Sequence, residues 1–133
     1  MIVVSDTSPI SYLVLIGREE MVPQLYGKVV VPEVVRRELV HPKGSEVVRE
    51  QISNSPSWMK VEAAESDAGG LRRDEEQRGE KQQGDLQDLD PGERGAILLA
   101  VRKEAGLLLI DERAGRTSAR KRGLTVTGTI GVL

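Results

Sequence analysis

Two short runs constrain this chain more than anything else in it. Residues 1–5 (MIVVS) and 107–110 (LLLI) are apolar at consecutive positions, and an aspartate follows each at once, Asp6 and Asp111. A strand that is apolar on both faces must be covered on both, as inside a parallel sheet with helices on either side. The intervening segments read as those helices and further strands. Asp6-Thr7-Ser8-Pro9 is a cap-like start to a helix over 10–16, which stops near Gly17, and 18–25 suits a second short helix. Residues 28–31 form a brief strand, Pro32 opens a helix to about Val40, and His41-Pro42 breaks the pattern before a helix over 44–53. In 56–62 (PSWMKVE) the alternation is that of a strand, with Trp58 on one side and Met59 and Val61 on the other. Asp90-Pro91-Gly92-Glu93 starts a strong helix through Ala105, closed by Gly106; after 107–110 come a basic helix over 113–122, Gly123 and a last strand over 124–127. The expected fold is α/β, a three-layer α/β/α sandwich around a central parallel sheet, and 133 residues suit one domain.

The net charge of −2 is unevenly distributed. From Glu62 to Asp90 there are ten acids and four bases, a net of −6, so the remaining eleven acids and fifteen bases carry +4. Within about 63–89 the large apolar residues after Ala68 are Leu71, Leu86 and Leu89. Such a segment buries too little surface to offset the cost of ordering, and is expected to be a flexible acidic insertion or a solvated helix. The basic remainder suits a phosphate-bearing partner.

Composition also excludes whole classes of chemistry. With no cysteine, disulfide scaffolds, thiolate catalysis and Cys-based zinc sites are out, and the single histidine, His41, makes Ser-His-Asp and multi-histidine sites improbable. Apolar stretches such as 12–16 and 96–101 fall far short of the ~20 residues of a membrane span. No basic leader or cleavage site precedes the first strand, so a cytoplasmic protein without membrane attachment is expected. There is no GxGxxG, Walker A or GxSxG motif. Three aromatic residues are too few for a base-stacking platform, and Trp58 reads as a core or interface anchor. Carboxylates, hydroxyls or a cofactor remain.

Four carboxylates occupy informative positions. Asp6 and Asp111 each stand at the carboxyl end of an apolar strand, where parallel sheets bind ligands, although an ordinary helix cap would also explain either one. At about 100° per residue, Glu38 falls within the apolar stripe of Val34, Val35 and Leu39, with Glu33, Arg36 and Arg37 on the opposite side. An inward carboxylate is costly unless it is paired or binds a metal. Glu93 fits a capping box with Asp90, yet shares a face with Ile97, Ala100 and Val101, so capping and metal binding weigh equally. Spread over a chain without Cys or multiple His, such a set describes a site for Mg²⁺ or Mn²⁺, which favour oxygen ligands and engage phosphate. Five cations in 113–122 follow Asp111, either as a solvated helix or as a phosphate-contacting surface.

The chain resembles the PIN-domain ribonucleases, specifically their VapC-like branch. The matching pieces are VSDTSPIS at 4–11, VVVPEVVRREL at 29–39, PSWMKV at 56–61, LDPGERGAILLA at 89–100, LLLIDERAGR at 107–116 and VTGTIGVL at 126–133. The resemblance implies a metal-dependent endoribonuclease, commonly the toxin of a type II toxin–antitoxin pair, acting as a homodimer on RNA and held by a cognate antitoxin. The family's acidic cluster falls on Asp6, Glu38, Glu93 and Asp111 as catalytic and metal-holding residues, and Ser8 and Thr127 match positions with hydroxyls near the metal waters. Relatives often carry two aspartates where this chain has Asp111-Glu112, and usually continue into a further helix where it stops, so a shortened C-terminus is expected. Arg113, Arg116 and Arg120 are the expected RNA contacts. The rival readings are a catalytically weak module of the same fold that binds RNA or a protein, and a receiver-like phosphoacceptor, in which Glu38 and Glu93 have no role.

Overall fold

The structure, a computed structural model, describes residues 1–63 and 85–133. Most of the expected acidic insertion, 64–84, lies outside the described residues. Five strands form one sheet: β1 (Val3–Ser5), β2 (Val29–Pro32), β3 (Met59–Glu62), β4 (Leu107–Leu109) and β5 (Val126–Thr127). They run all parallel in the order β3-β2-β1-β4-β5. Seven helices are described: α1 (Thr7–Leu15), α2 (Met21–Tyr26), α3 (Glu33–Leu39), α4 (Glu46–Ser53), α5 (Pro91–Arg102), α6 (Arg113–Lys121) and α7 (Thr129–Val132), with a 3₁₀ turn at Leu86–Asp88.

The strand alternation sorts the core into two layers. Val3, Val29, Val31 and Leu109 face one side, where Leu13 of α1, Val22 of α2, Val35 of α3, Ile52 of α4 and Val132 of α7 cover them. Val4, Leu108 and Ile110 face the other, against Ile97 and Ala100 of α5, Ala119 of α6, and Leu86 and Leu89. Each such fully buried aliphatic side chain contributes roughly 1.5–3 kcal/mol. The result is the α/β/α sandwich expected from two strands apolar on both faces. Trp58 packs half-buried against the first layer, as an anchor should. Val61 is 37 % exposed because β3 is an edge strand.

Helix ends account for the differences from the sequence reading. The helices α1 and α6 close on Gly17 and Gly123, both at positive φ, each with a backbone bond spanning five residues (Arg18 to Leu13, Leu124 to Ala119). The helix α5 stops at Arg102, short of the expected Ala105, because Glu104 takes up the left-handed position and Ala105 N–H bonds the Ala100 carbonyl. A non-glycine residue there leaves no signal in the sequence. The last strand is two residues rather than four, and α7, which follows it, was not anticipated.

The two ends of the described chain around 64–84 are tied to the second helical layer. Glu62 pairs with Lys103, Lys60 and Arg102. Asp85 accepts from Ser118 Oγ at 2.6 Å and from both terminal nitrogens of Arg122 at 3.1 Å. That fork holds the Asp85 carboxyl well below the usual carboxylate range. Its stabilisation is present at neutral pH and is lost as pH falls through the acid range. Asp85→Asn is expected to lower stability at pH 7 by about 1–3 kcal/mol in urea denaturation, and by less at pH 3.

Candidate active site

Strand order reverses at β1, which has β2 on one side and β4 on the other, and a crevice forms at the carboxyl ends there. Ser5 pairs with Leu109, and Asp6 N–H bonds the Leu109 carbonyl at 2.9 Å, so Asp6 and Asp111 leave neighbouring strand ends. Asp6 occupies the N-cap position of α1 without a side-chain cap hydrogen bond, and Asp111 bonds none of the α6 amides. Neither side chain makes the cap bond to the helix that follows it, which would otherwise explain it.

Glu38 reaches the same crevice from α3. It accepts a hydrogen bond from Thr7 Oγ1 at 2.6 Å. A Cβ at Gly92 would sit 2.6 and 2.8 Å from its two carboxylate oxygens, so the start of α5 lies directly against it. The capping box is half made: Asp90 Oδ1 accepts from Glu93 N–H at 2.8 Å. The Glu93 side chain is buried, and its Oε2 lies 3.1 Å from where a Cβ at Gly115 would be. Asp111 accepts from both the amide and the hydroxyl of Thr129, each at 2.6 Å, and a Cβ at Gly128 would come within 2.6 Å of its Oδ1. Three of the four carboxylates thus lie where a glycine has left out a side chain.

The electrostatics mark these groups as a cluster. Burial pushes the Asp6 carboxyl up to about 7, and the charges of Asp90, Glu38 and Asp111 push in the same direction, against the nearby Thr7 amide. Glu93 is also pushed up, first by burial, then by the hydrogen bond and charge of Asp90, then by Asp6 and Glu112. Asp6 Oδ1 and Glu93 Oε2 are buried without a hydrogen-bond partner. Buried, like-charged carboxylates with orphaned oxygens are costly unless a proton or a cation neutralises them. An all-oxygen donor set of this kind fits a hard divalent ion. Among the described residues no three His, Cys, Asp or Glu side chains already stand in metal-ligand geometry. The Thr7 and Thr129 hydroxyls hold Glu38 and Asp111 in their present orientations.

The remaining expected residues are placed less uniformly. Hydroxyl contacts to the carboxylates come from Thr7 and Thr129, and Thr127 Oγ1 packs against Gly131. The charge of Asp111 acts on Asp6 and that of Glu112 on Glu93, so both acids after β4 bear on the cluster. Arg116 turns inward, with Nε buried and unpartnered and Nη1 beside Gly128, whereas Arg113 and Arg120 are exposed. Asp90 was legible only as a cap, yet it is the main charged neighbour of Glu93.

No helix among the described residues is long and apolar enough to cross a membrane. No curated protein matches the chain. A family model described as a PIN domain matches residues 2–133, nearly the full length. With the parallel sandwich and the strand-end carboxylates, that match places the chain in the PIN-domain family, whose fold is of the nuclease type.

Proposed function

We propose that this protein is a Mg²⁺- or Mn²⁺-dependent endoribonuclease that hydrolyses RNA phosphodiester bonds, and that it serves as the VapC-like toxin of a type II toxin–antitoxin pair. The observation that carries the reading is the pair of buried carboxylates, Asp6 and Glu93, each with an oxygen lacking a partner and each facing further acids. Asp6, Glu38, Glu93 and Asp111 would hold the ion and form the catalytic set. When bound, such an ion neutralises charge developing on phosphate and acidifies a bound water.

The chain's own groups orient and charge the site. Thr7 fixes the Glu38 carboxylate, and Thr129 fixes both oxygens of Asp111. Glu93, its carboxyl raised by burial and by Asp90, holds a proton at higher pH than an exposed glutamate. Arg116 brings a guanidinium beside Asp111, and Arg113 and Arg120 present cations on the outer side of α6 to an approaching backbone. Exposed Tyr12, Leu15 and Ile16 at the end of α1, with Ile130 of α7, favour a homodimer or an antitoxin on that side.

Incubation with single-stranded RNA tests the reading. Internal cleavage in Mn²⁺ or Mg²⁺, none in EDTA, and products without 2′,3′-cyclic phosphate are expected, because water and not the ribose hydroxyl is the nucleophile. Cleavage that persists in EDTA contradicts it. The second reading, a binding module without turnover, is favoured by one observation, that no ready metal-ligand set stands among the described residues. RNA association with no turnover in Mn²⁺ would select it.

A further inference from the structure

A groove of about 450 Å³ opens off the carboxylate cluster. Glu38 and Pro91 line it on the cluster side, and Val34, Arg37, His41 and Lys43 line the rest. Its volume is within the range of about 300–1,000 Å³ occupied by small-ligand sites, enough for a nucleotide unit. The 41–44 loop that forms its wall is held in place. Arg49 Nη1 donates to the Pro42 carbonyl at 3.0 Å and to that of His41 at 3.5 Å, and Gly44 N–H bonds the His41 carbonyl at 2.9 Å. Lys43 N–H donates to His41 Nδ1 at 3.0 Å. With Nδ1 accepting, Nε2 is the ring nitrogen left to donate.

The charges of this groove answer a problem that the cluster creates. Several carboxylates repel a polyanion, so a phosphodiester strand must be held by cations beside them. The groove on the α6 side, about 500 Å³, sets Asp85, Asp88 and Glu112 against Arg113 and Lys121. The α3 groove has Arg37, Lys43 and the His41 donor against Glu38 alone, and among the described residues no carboxylate pairs with Lys43. Among the described residues Arg37 pairs only with Glu33, a solvent-exposed partner of the kind that is easily exchanged.

We infer that the α3 groove is the track along which single-stranded RNA lies beside the carboxylate cluster, with Arg37, His41 and Lys43 contacting its backbone phosphates. The inference rests on the ribonuclease reading for its substrate, but its test does not require cleavage. Fluorescence anisotropy of a 5′-labelled single-stranded RNA in EDTA, across a salt series, reads the phosphate contacts directly. For single strands each lost contact lowers the slope of log K against log salt by about 0.7. The Arg37→Gln/Lys43→Gln double variant is expected to lose about 1.4 in slope and at least roughly tenfold in affinity at low salt, and Lys43→Arg to bind as the parent does. All three positions lie outside the core, and unchanged thermal melts verify that the fold is kept. Unchanged slope and affinity in the double variant overturn the groove, even where the parent cleaves RNA in Mn²⁺. Groove-dependent binding by a parent that does not cleave supports the groove and overturns the ribonuclease reading instead.

Discussion

Asp6→Asn is expected to abolish RNA cleavage, by roughly 10³-fold or more, while making the protein without bound ion more stable above neutral pH. Asp6 is 3 % exposed, one of its oxygens lacks a partner, and burial together with three neighbouring acids pushes its carboxyl up to about 7. A carboxyl raised in the folded state contributes its stability in full below its ordinary value of 3.8, and that contribution is lost as pH rises through 7. The parent in EDTA should therefore lose about 2–4 kcal/mol between pH 5 and 8.5 from this group. Asp85 and Glu62, both lowered by their cations, act oppositely and weaken the fold toward low pH. Asp6→Asn removes the first dependence, leaves the loss toward high pH that comes from the likewise raised Glu93, and leaves the second. Thermal melts in EDTA at pH 5, 7 and 8.5 check this. A variant whose stability falls with rising pH as steeply as the parent's would show that Asp6 is not the strained group.

Gly92→Ala is expected to lower kcat by about 10–100-fold while changing stability by less than about 1 kcal/mol. Gly92 is the second residue of α5, where alanine is intrinsically the better helix former by about 1 kcal/mol. The added carbon would meet Glu38 Oε2 at 2.6 Å, Oε1 at 2.8 Å and Cδ at 3.0 Å. The carboxylate must shift, and its 2.6 Å bond from Thr7 shifts with it. A displacement near 1 Å at a reacting group costs about 10² in rate. Denaturation and steady-state cleavage measured on the same preparation separate the two effects. Parent-like kcat would mean that the position of Glu38 does not govern the reaction.

The layers were legible because two strands apolar on both faces admit few architectures. Asp6 and Asp111 were legible because each follows such a strand, and Glu38 because a charge inside a helical apolar stripe is conspicuous. What was missed is tertiary. Spacing alone does not say which hydroxyl of Thr7 and Ser8 faces a carboxylate, and the four-residue α7 is too short for periodicity to reveal it or to single out Thr129. Gly92, Gly115 and Gly128 read as ordinary loop or helix glycines, since the carboxylates they admit lie on other elements. Asp90 fitted a cap so well that its second role, as the charged neighbour of Glu93, had no separate signature.

The most direct test of the central claim is the rate of RNA cleavage as a function of Mn²⁺ concentration for the parent and for Asp6→Asn, Glu38→Gln, Glu93→Gln and Asp111→Asn. The account predicts no cleavage without the ion, a saturating rise for the parent, and for each variant either no activity or a curve displaced to higher Mn²⁺. Cleavage by the parent that is independent of Mn²⁺, or variants that follow the parent's curve, would contradict it.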